Sequence, residues 1–273
     1  MTDQGWRPDI ASPGNPRIKA AAALRDRAAR VRTGTTVVDG ARELRRALDA
    51  GVEVVEAFVC EPRLAGPDAL AALEGLRARG TDVVGVSDAA LARLAFGDRN
   101  EGLVAVIRSR PQDLDAVALG SEPLIVVIED VEKPGNVGAV LRSADGAGAD
   151  AVIAAAAGTD MANPNVIRAS AGTVFSMPTA AAEPGAVLDW LRARRIRVVA
   201  ARVDGARTYT DADLTGPLAL VLGSEAEGLG ETWLAPDVEP IRIPMRGVAD
   251  SLNVSVSAAI LLYEARRQRD QRS

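Results

Sequence analysis

Short runs of Val, Ile, Leu and Ala recur along the whole chain, with helix-patterned segments between them. VEVVEAFVC (52–60), LVAVIRS (103–109), LIVVIED (124–130), DAVIAA (150–155), IRVVAARVD (196–204) and LALVLG (218–223) are the clearest. Apolar runs that barely alternate belong to strands buried on both faces, as in parallel sheets covered by helices. The expected class is therefore α/β. Two such sets are separated by PQDLDAVALGSEP, whose Pro, Gly and polar residues read as a linker. The predicted organisation is a first α/β domain over 1–110, a linker at 111–122 and a second domain over 123–273. A single basic helix is predicted over RIKAAAALRDRAARVR (17–32), and a closing helix over 252–268 with Leu252, Val256, Ile260 and Tyr263 on one buried face.

The residue inventory narrows the chemistry. The chain contains no histidine and one cysteine among 273 residues. That removes His-based triads, the commonest metal ligand and any internal disulfide. No metal site is expected. Cys60, inside VVEAFVC, reads as a buried structural thiol, and a single cysteine suits the cytoplasm. The N-terminal MTDQGWRPDI lacks the basic head and apolar segment of a secretory signal, and no apolar run is long enough for a membrane span.

Net charge is −5, yet the charge is unevenly placed. Residues 1–46 hold ten Lys/Arg against five Asp/Glu, whereas 47–263 hold 18 against 30. A basic arm on an acidic body can be a phosphate-binding footprint or a solvated helix. Only two of the 32 basic residues are lysine, so an arginine-favouring composition adds to the pattern. Within the arm, Arg17, Lys19, Arg25 and Arg27 are the candidate RNA or DNA contacts.

Three loops at strand ends could carry function, because ligands of open α/β sheets bind beyond the strands' carboxyl ends. The first, IEDVEKPGNVGAVLRSADGAGA, runs from a strand through Gly135, Asn136 and Gly138 into a helix carrying Arg142, which is expected to reach back beside Asn136. An ordinary strand-to-helix turn would look the same. Its spacing is neither the dinucleotide fingerprint nor a P-loop. The second, LALVLGSEAEGL, ends a buried strand in Gly223, Ser224 and Glu225, and a glycine turn with an exposed acid is its plainer reading. The third, IRIPMRGVADSLNVSVSAAI, passes Ile243 and Met245 before Ser251, Leu252 and Asn253 open a helix. Helix capping explains Ser251 or Asn253, but not both together with the small face of Ser255, Ser257, Ala258 and Ala259.

In order, N-x-G-x-x-x-R, L-G-S-E-x-x-G and I-P-M…S-L-N-V-S-x-x-A resemble the three motifs of the SpoU (TrmH) class of RNA ribose 2′-O-methyltransferases, within the SPOUT superfamily. SPGNPRIKAAAALRDRAARVRTGTTVVDGARE and GDRNEGLVAV resemble the substrate-binding domain of its two-domain ribosomal RNA members, including thiostrepton- and avilamycin-resistance methyltransferases.

The resemblance implies a C-terminal sheet domain with a deep trefoil knot and a smaller N-terminal α/β domain like ribosomal-protein RNA binders. It implies S-adenosylmethionine as cofactor, held by backbone groups of Gly223, Ile243 and Leu252, with Ala201 and Met245 as further candidates. Arg142 is implied as the group acting on the ribose hydroxyl, with Asn136, Glu225, Ser251 and Asn253 orienting it, and Arg168 as a contact to RNA phosphate. Family members are homodimers. The implied substrate is 23S ribosomal RNA, with drug resistance or housekeeping as purpose. A transfer RNA enzyme or a non-catalytic RNA-binding protein are the alternatives; a dinucleotide-dependent oxidoreductase lacks its glycine fingerprint.

Overall fold

A computed structural model of the chain describes residues 6–96, 101–110, 112–156, 158–224 and 228–272. The chain forms two compact units. The first comprises 1–110 with 162–176, and the second 111–161 with 177–273. Residues 162–176, read from the sequence as part of the second domain, thus pack with the first unit.

The first unit begins with α1 (Pro16–Ala23) and α2 (Arg27–Thr33). The single helix expected here is broken at Asp26, whose carboxylate accepts from Ala28 N at 2.7 Å and so caps a new helix. The buried Arg30 fastens the break, donating from Nη1 to the carbonyls of Leu24 and Arg25, both at 2.8 Å. Then follow β1 (Thr35–Asp39), α3 (Ala41–Asp49), β2 (Val54–Val59), α4 (Pro67–Ala78), β3 (Val83–Gly85), α5 (Asp88–Leu94) and β4 (Leu103–Arg108). Their sheet has the order β1-β4-β2-β3. It is mixed rather than parallel: β4 runs antiparallel to both β1 and β2, while β3 is parallel to β2. The chain enters β4 opposite the end of β2, pairing Leu103 with Val59, which forces the reversed direction. Burial on both faces looks the same in either direction, so the residue pattern could not reveal it. Ile18, Phe58, Cys60, Leu91 and Val104 share one core, and Cys60 is the buried thiol expected, its pKa raised by that burial.

The second unit is a seven-stranded sheet among the described residues. Its strands are β5 (Leu124–Glu129), β6 (Ala151–Ala155), β7 (Thr179–Ala182), β8 (Arg197–Ala201), β9 (Arg207–Thr208), β10 (Leu218–Leu222) and β11 (Val238–Arg242). Its helices are α6 (Pro134–Gly146), α9 (Pro184–Ala193) and α10 (Val254–Asp270), while α7 (Pro164–Ala169) and α8 (Thr173–Ser176) lie in 162–176. VFSMPTA, read as continuous with the strand set, divides into α8 and β7. All the pairings are parallel, in the order β7-β6-β5-β10-β8-β11-β9.

Alternation places Ile125, Val127, Ile153, Ala200 and Val221 on the face covered by Val187, Leu188 and Leu191 of α9. Their neighbours Leu124, Val126, Ile128, Leu220 and Leu222 are also buried and point to the other face, where α6 and α10 pack. Each fully buried Leu or Ile contributes about 1.5–3 kcal/mol. The stretch 112–123 is no free linker: Gln112 O accepts from Ala181 N at 3.0 Å, and Val117 is buried in the sheet core. On α10 the buried face is Val254, Ala258, Leu261, Leu262 and Ala265. Val256 and Tyr263, expected inside, are 47% and 54% exposed.

Candidate active site

The sheet order reverses between β5 and β8, with β10 inserted between them. Such a reversal opens a crevice at the carboxyl ends of the strands. Val221 pairs with Ala200 and Ile241 with Ala201, so Ala201, Gly223 and Ile243 end three adjacent strands within about two residues of one register line. Four of the five cofactor candidates therefore lie at or just past this edge, since Met245 lies only two residues beyond Ile243; Leu252, half-buried, adjoins the N-terminus of α10.

The loop after β10 is built on close backbone approach. A Cβ at Gly223 would stand 2.0 Å from Gly228 O and 2.7 Å from Leu229 N. Gly228 N donates to Ser224 O at 3.1 Å, tightening the turn. Glu129, at the end of β5 and 5% exposed, accepts from Gly230 N at 2.6 Å. A buried carboxylate from the neighbouring strand thus anchors the far side of the loop. Glu129 was not singled out in the sequence; the only signal was an acid closing an otherwise apolar strand. Glu225 lies outside the described residues, as does 97–100 of the GDRNEGLVAV segment.

Gly205 makes a second close approach. Its Cβ would lie 2.6 Å from the carbonyl carbon of Ile241, and its carbonyl accepts from Arg242 Nη1 at 2.7 Å. With Arg202 N donating to Ile241 O at 2.8 Å, the loop after β8 is tied to β11 directly before Ile243.

Two of the orienting residues meet. Asn253 Nδ2 donates to Asn136 Oδ1 at 3.1 Å, while Asn253 Oδ1 accepts from Ser255 N at 3.0 Å and Ser255 Oγ at 2.6 Å. Asn253 therefore caps α10 and reaches the first turn of α6 with the same side chain. Farther along, Arg266 Nε donates to Ala147 O at 2.9 Å, so α10 also holds the end of α6. Ser251 is exposed in the preceding loop. Arg142 is exposed on α6, and among the described residues no group bonds to its guanidinium. It does not share Asn136's face: six residues place them about 9 Å apart along the axis and about 120° round it. Gly135, Gly138 and Ala139 share Arg142's side instead. Helical side chains lean toward the N-terminus, so a long guanidinium can lie back over these small residues.

The candidate RNA contacts divide. Arg17 is committed to the fold, pairing with Glu56 at 2.7 Å and Asp82 at 2.6 Å, which raises its pKa. Lys19 and Arg27 are exposed on α1 and α2. Arg25 Nη2 donates to Ala95 O at 2.6 Å, and the guanidinium lies over the Phe96 ring at 4.6 Å. Arg168, on α7, donates to Phe96 O and stands 3.6 Å from Asp39 Oδ2.

Asp39 is buried, and desolvation pushes its pKa from 3.8 to about 6, against the pull of Phe96 N–H and Arg168. The folded chain therefore takes up this proton before the unfolded one as pH falls, and the charged form costs stability above about pH 6. At 1.36 kcal/mol per unit the cost is about 3 kcal/mol at most. Asp39→Asn, which keeps an acceptor for Phe96 N–H, is expected to raise Tm at pH 7 and leave it nearly unchanged at pH 4. An equal change at both pH values in a thermal melt would show that Asp39 does not titrate here.

Among the described residues, no group of three or more His, Cys, Asp or Glu could hold a metal, and no helix is long and apolar enough to cross a membrane.

Comparison with known proteins identifies the family. The SpoU rRNA Methylase family profile matches residues 123–263, and that of the MRM3-like substrate binding domain matches 15–105. The 23S rRNA (uridine(2479)-2′-O)-methyltransferase of Streptomyces viridochromogenes is 34% identical over 257 residues, 91% of this chain and 88% of that protein. The crystal structure of an RNA 2′-O ribose methyltransferase superposes with a TM-score of 0.83 at 44% identity, covering 95% of this chain and 98% of the other. The SpoU methyltransferase AviRb from Streptomyces viridochromogenes, in complex with AdoMet, gives 0.85 at 32% identity, covering 93% and 98%. The chain belongs to the SpoU rRNA methylase family.

Proposed function

We propose that this chain methylates a ribose 2′-hydroxyl of 23S ribosomal RNA, using S-adenosylmethionine. The observation that carries the reading is the Asn136–Asn253 hydrogen bond, which joins the first and third motifs beside the edge where the second makes its glycine turn. The relatives named above support the substrate class.

The backbone cradle fits the cofactor. Gly223, which has no room for a Cβ against Gly228 O, keeps the turn tight, and main-chain groups there, at Ile243 and at Leu252 would hold the cofactor, with Ala201 and Met245 flanking. When bound, S-adenosylmethionine supplies an electrophilic methyl group. The chain's own task is to align the hydroxyl and to favour its negative charge as the proton leaves. A guanidinium stays protonated in proteins and has no acceptor in that form, so Arg142 acts as a cation toward the ribose oxygen or adjacent phosphate. Asn136, Asn253, Ser251 and Glu225 orient the sugar.

In this reading 123–273 is the methyltransferase domain, its C-terminal segment threaded as a trefoil knot; 1–110 is a ribosomal-protein-like RNA-binding domain and 111–122 joins them. The enzyme works in the cytoplasm, with drug resistance or housekeeping as its purpose. It is a homodimer: Val256, Ile260 and Tyr263 fall on one side of α10 with two of the three exposed, which suits a self-complementary face.

The test uses labelled S-adenosylmethionine with separate pools of 23S, 16S and transfer RNA, and ribosomal particles, from cells lacking the gene. Label is expected at one 2′-O-methylated nucleotide of 23S RNA. Label only in transfer RNA, or cofactor binding with no acceptor at all, would overturn the substrate. Sedimentation of the same protein should give a dimer, and Val256→Arg a monomer; a monomeric wild type refutes that face.

A further inference from the structure

The first unit contains a cleft of about 550 Å³ lined by Arg25, Ala95, Phe96, Asn163, Asn165 and Arg168, with Pro164 completing it. We propose that this cleft seats one unpaired nucleotide of the RNA. The proposal rests on the reading of RNA as substrate and adds where, and in which conformation, the first unit grips it.

Its two guanidiniums are held in place rather than left to solvent. Arg25 Nη2 donates to the last carbonyls of α5 and the following turn, Ala95 O at 2.6 Å, Arg93 O at 3.2 Å and Leu94 O at 3.3 Å. Those bonds fix the guanidinium over the Phe96 ring, and both residues line the cleft. A positioned guanidinium plane is a stacking platform for a base, and Phe96 beneath it extends the stack. Arg168 is pinned from behind by Asp39 and by the carbonyl of Phe96, to which Nη1 donates. A guanidinium has five N–H donors, and those not spent on these two partners can meet a phosphate.

Two amides supply what guanidiniums lack. Asn163 Oδ1 accepts from Asn165 N at 2.9 Å, leaving its NH₂ for a ligand, and the exposed Asn165 side chain offers both a donor and an acceptor. Base edges present that same mixture.

Among the described residues the lining contains two arginines and no carboxylate. Asp39 holds Arg168 without being part of the lining. The fitting ligand is therefore flat, polar at its edge and anionic. The volume lies within the range of small-ligand pockets. A base inside a duplex has both faces stacked and cannot enter, so the nucleotide must be unpaired.

The experiment uses a fluorescent single-stranded 12-mer RNA carrying 5-iodouridine, its blunt duplex, and full-length protein. Photocrosslinking followed by peptide mass spectrometry should place the adduct on Phe96 or on the 163–168 segment. By anisotropy, Asn165→Asp should weaken single-strand binding about tenfold, the loss expected for one base contact, with Tm and S-adenosylmethionine affinity unchanged. Arg168→Gln should weaken it and lessen its salt dependence. Adducts confined to other peptides, wild-type affinity in Asn165→Asp, equal affinity for the duplex, or no binding of the 12-mer would each overturn the cleft. The two readings fail separately: methylated 23S RNA without an adduct here removes the cleft alone, while an adduct here with no methyl transfer to any RNA removes the enzymatic reading and leaves the cleft.

Discussion

Gly223→Ala is expected to lower S-adenosylmethionine affinity by about a hundredfold or more and to reduce Tm by about 5–10 °C. The added Cβ would lie 2.0 Å from Gly228 O, 2.2 Å from Gly228 C and 2.7 Å from Leu229 N. Every one of these atoms is backbone, so no side chain can swing aside. The opposing strand of the turn is itself restrained, by Gly228 N to Ser224 O and by Gly230 N to buried Glu129. Relief must come from opening the turn, and overpacking of this kind costs about 1–3 kcal/mol. In a chain of this size each kcal/mol shifts Tm by about 2–4 °C. Opening the turn also moves the peptide groups expected to hold the cofactor, so affinity falls more than stability. Gly135→Ala is the control, because nothing lies within 4 Å of that position. Isothermal titration and thermal melts of both variants decide the matter: wild-type affinity in Gly223→Ala would mean that the loop after β10 does not hold the cofactor.

Arg142→Ala should slow single-turnover methyl transfer by about 10²–10³, the loss typical of removing one donor to a developing oxyanion. Because the guanidinium is exposed and no described residue bonds to it, fold and cofactor affinity should remain those of the wild type. Arg142→Lys separates two roles. An ammonium keeps the charge but loses the planar fork that can span a ribose oxygen and a phosphate. Lysine should recover only part of the rate. A lysine variant at full rate would leave simple charge as the whole contribution. A wild-type rate that followed one very high pKa, lost in lysine, would instead make Arg142 a literal base.

How much of this was legible beforehand depends on the range of the interaction. Glycine 223 could be singled out because LALVLG is a buried run ended by a residue without a side chain, a local pattern. The atom it must avoid, Gly228 O, is only five residues away. The Asn136–Asn253 bond spans 117 residues, and the sequence offered only the family resemblance that gave both residues one task. Glu129 was passed over because its partner, Gly230, lies 101 residues on. Arg17 and Arg25 look alike in a basic segment, yet Glu56 and Asp82 occupy one while Phe96 orders the other. On α10, helical spacing grouped Val256, Ile260 and Tyr263 correctly. It could not tell a face turned to the core from one turned outward, since both need the same apolar stripe.

The sequence by itself determined the class, the two sets of α/β elements, the buried Cys60 and the absence of histidine chemistry. All of these depend on composition or on neighbours within a few turns of chain. Tertiary structure alone decided the insertion of β10 between β5 and β8, the antiparallel entry of β4, the packing of 162–176 with the first unit and the pinning of Arg168. A strand buried on both faces has the same residues whichever neighbour it pairs with and whichever way it runs, so its partners are chosen only when the whole sheet closes.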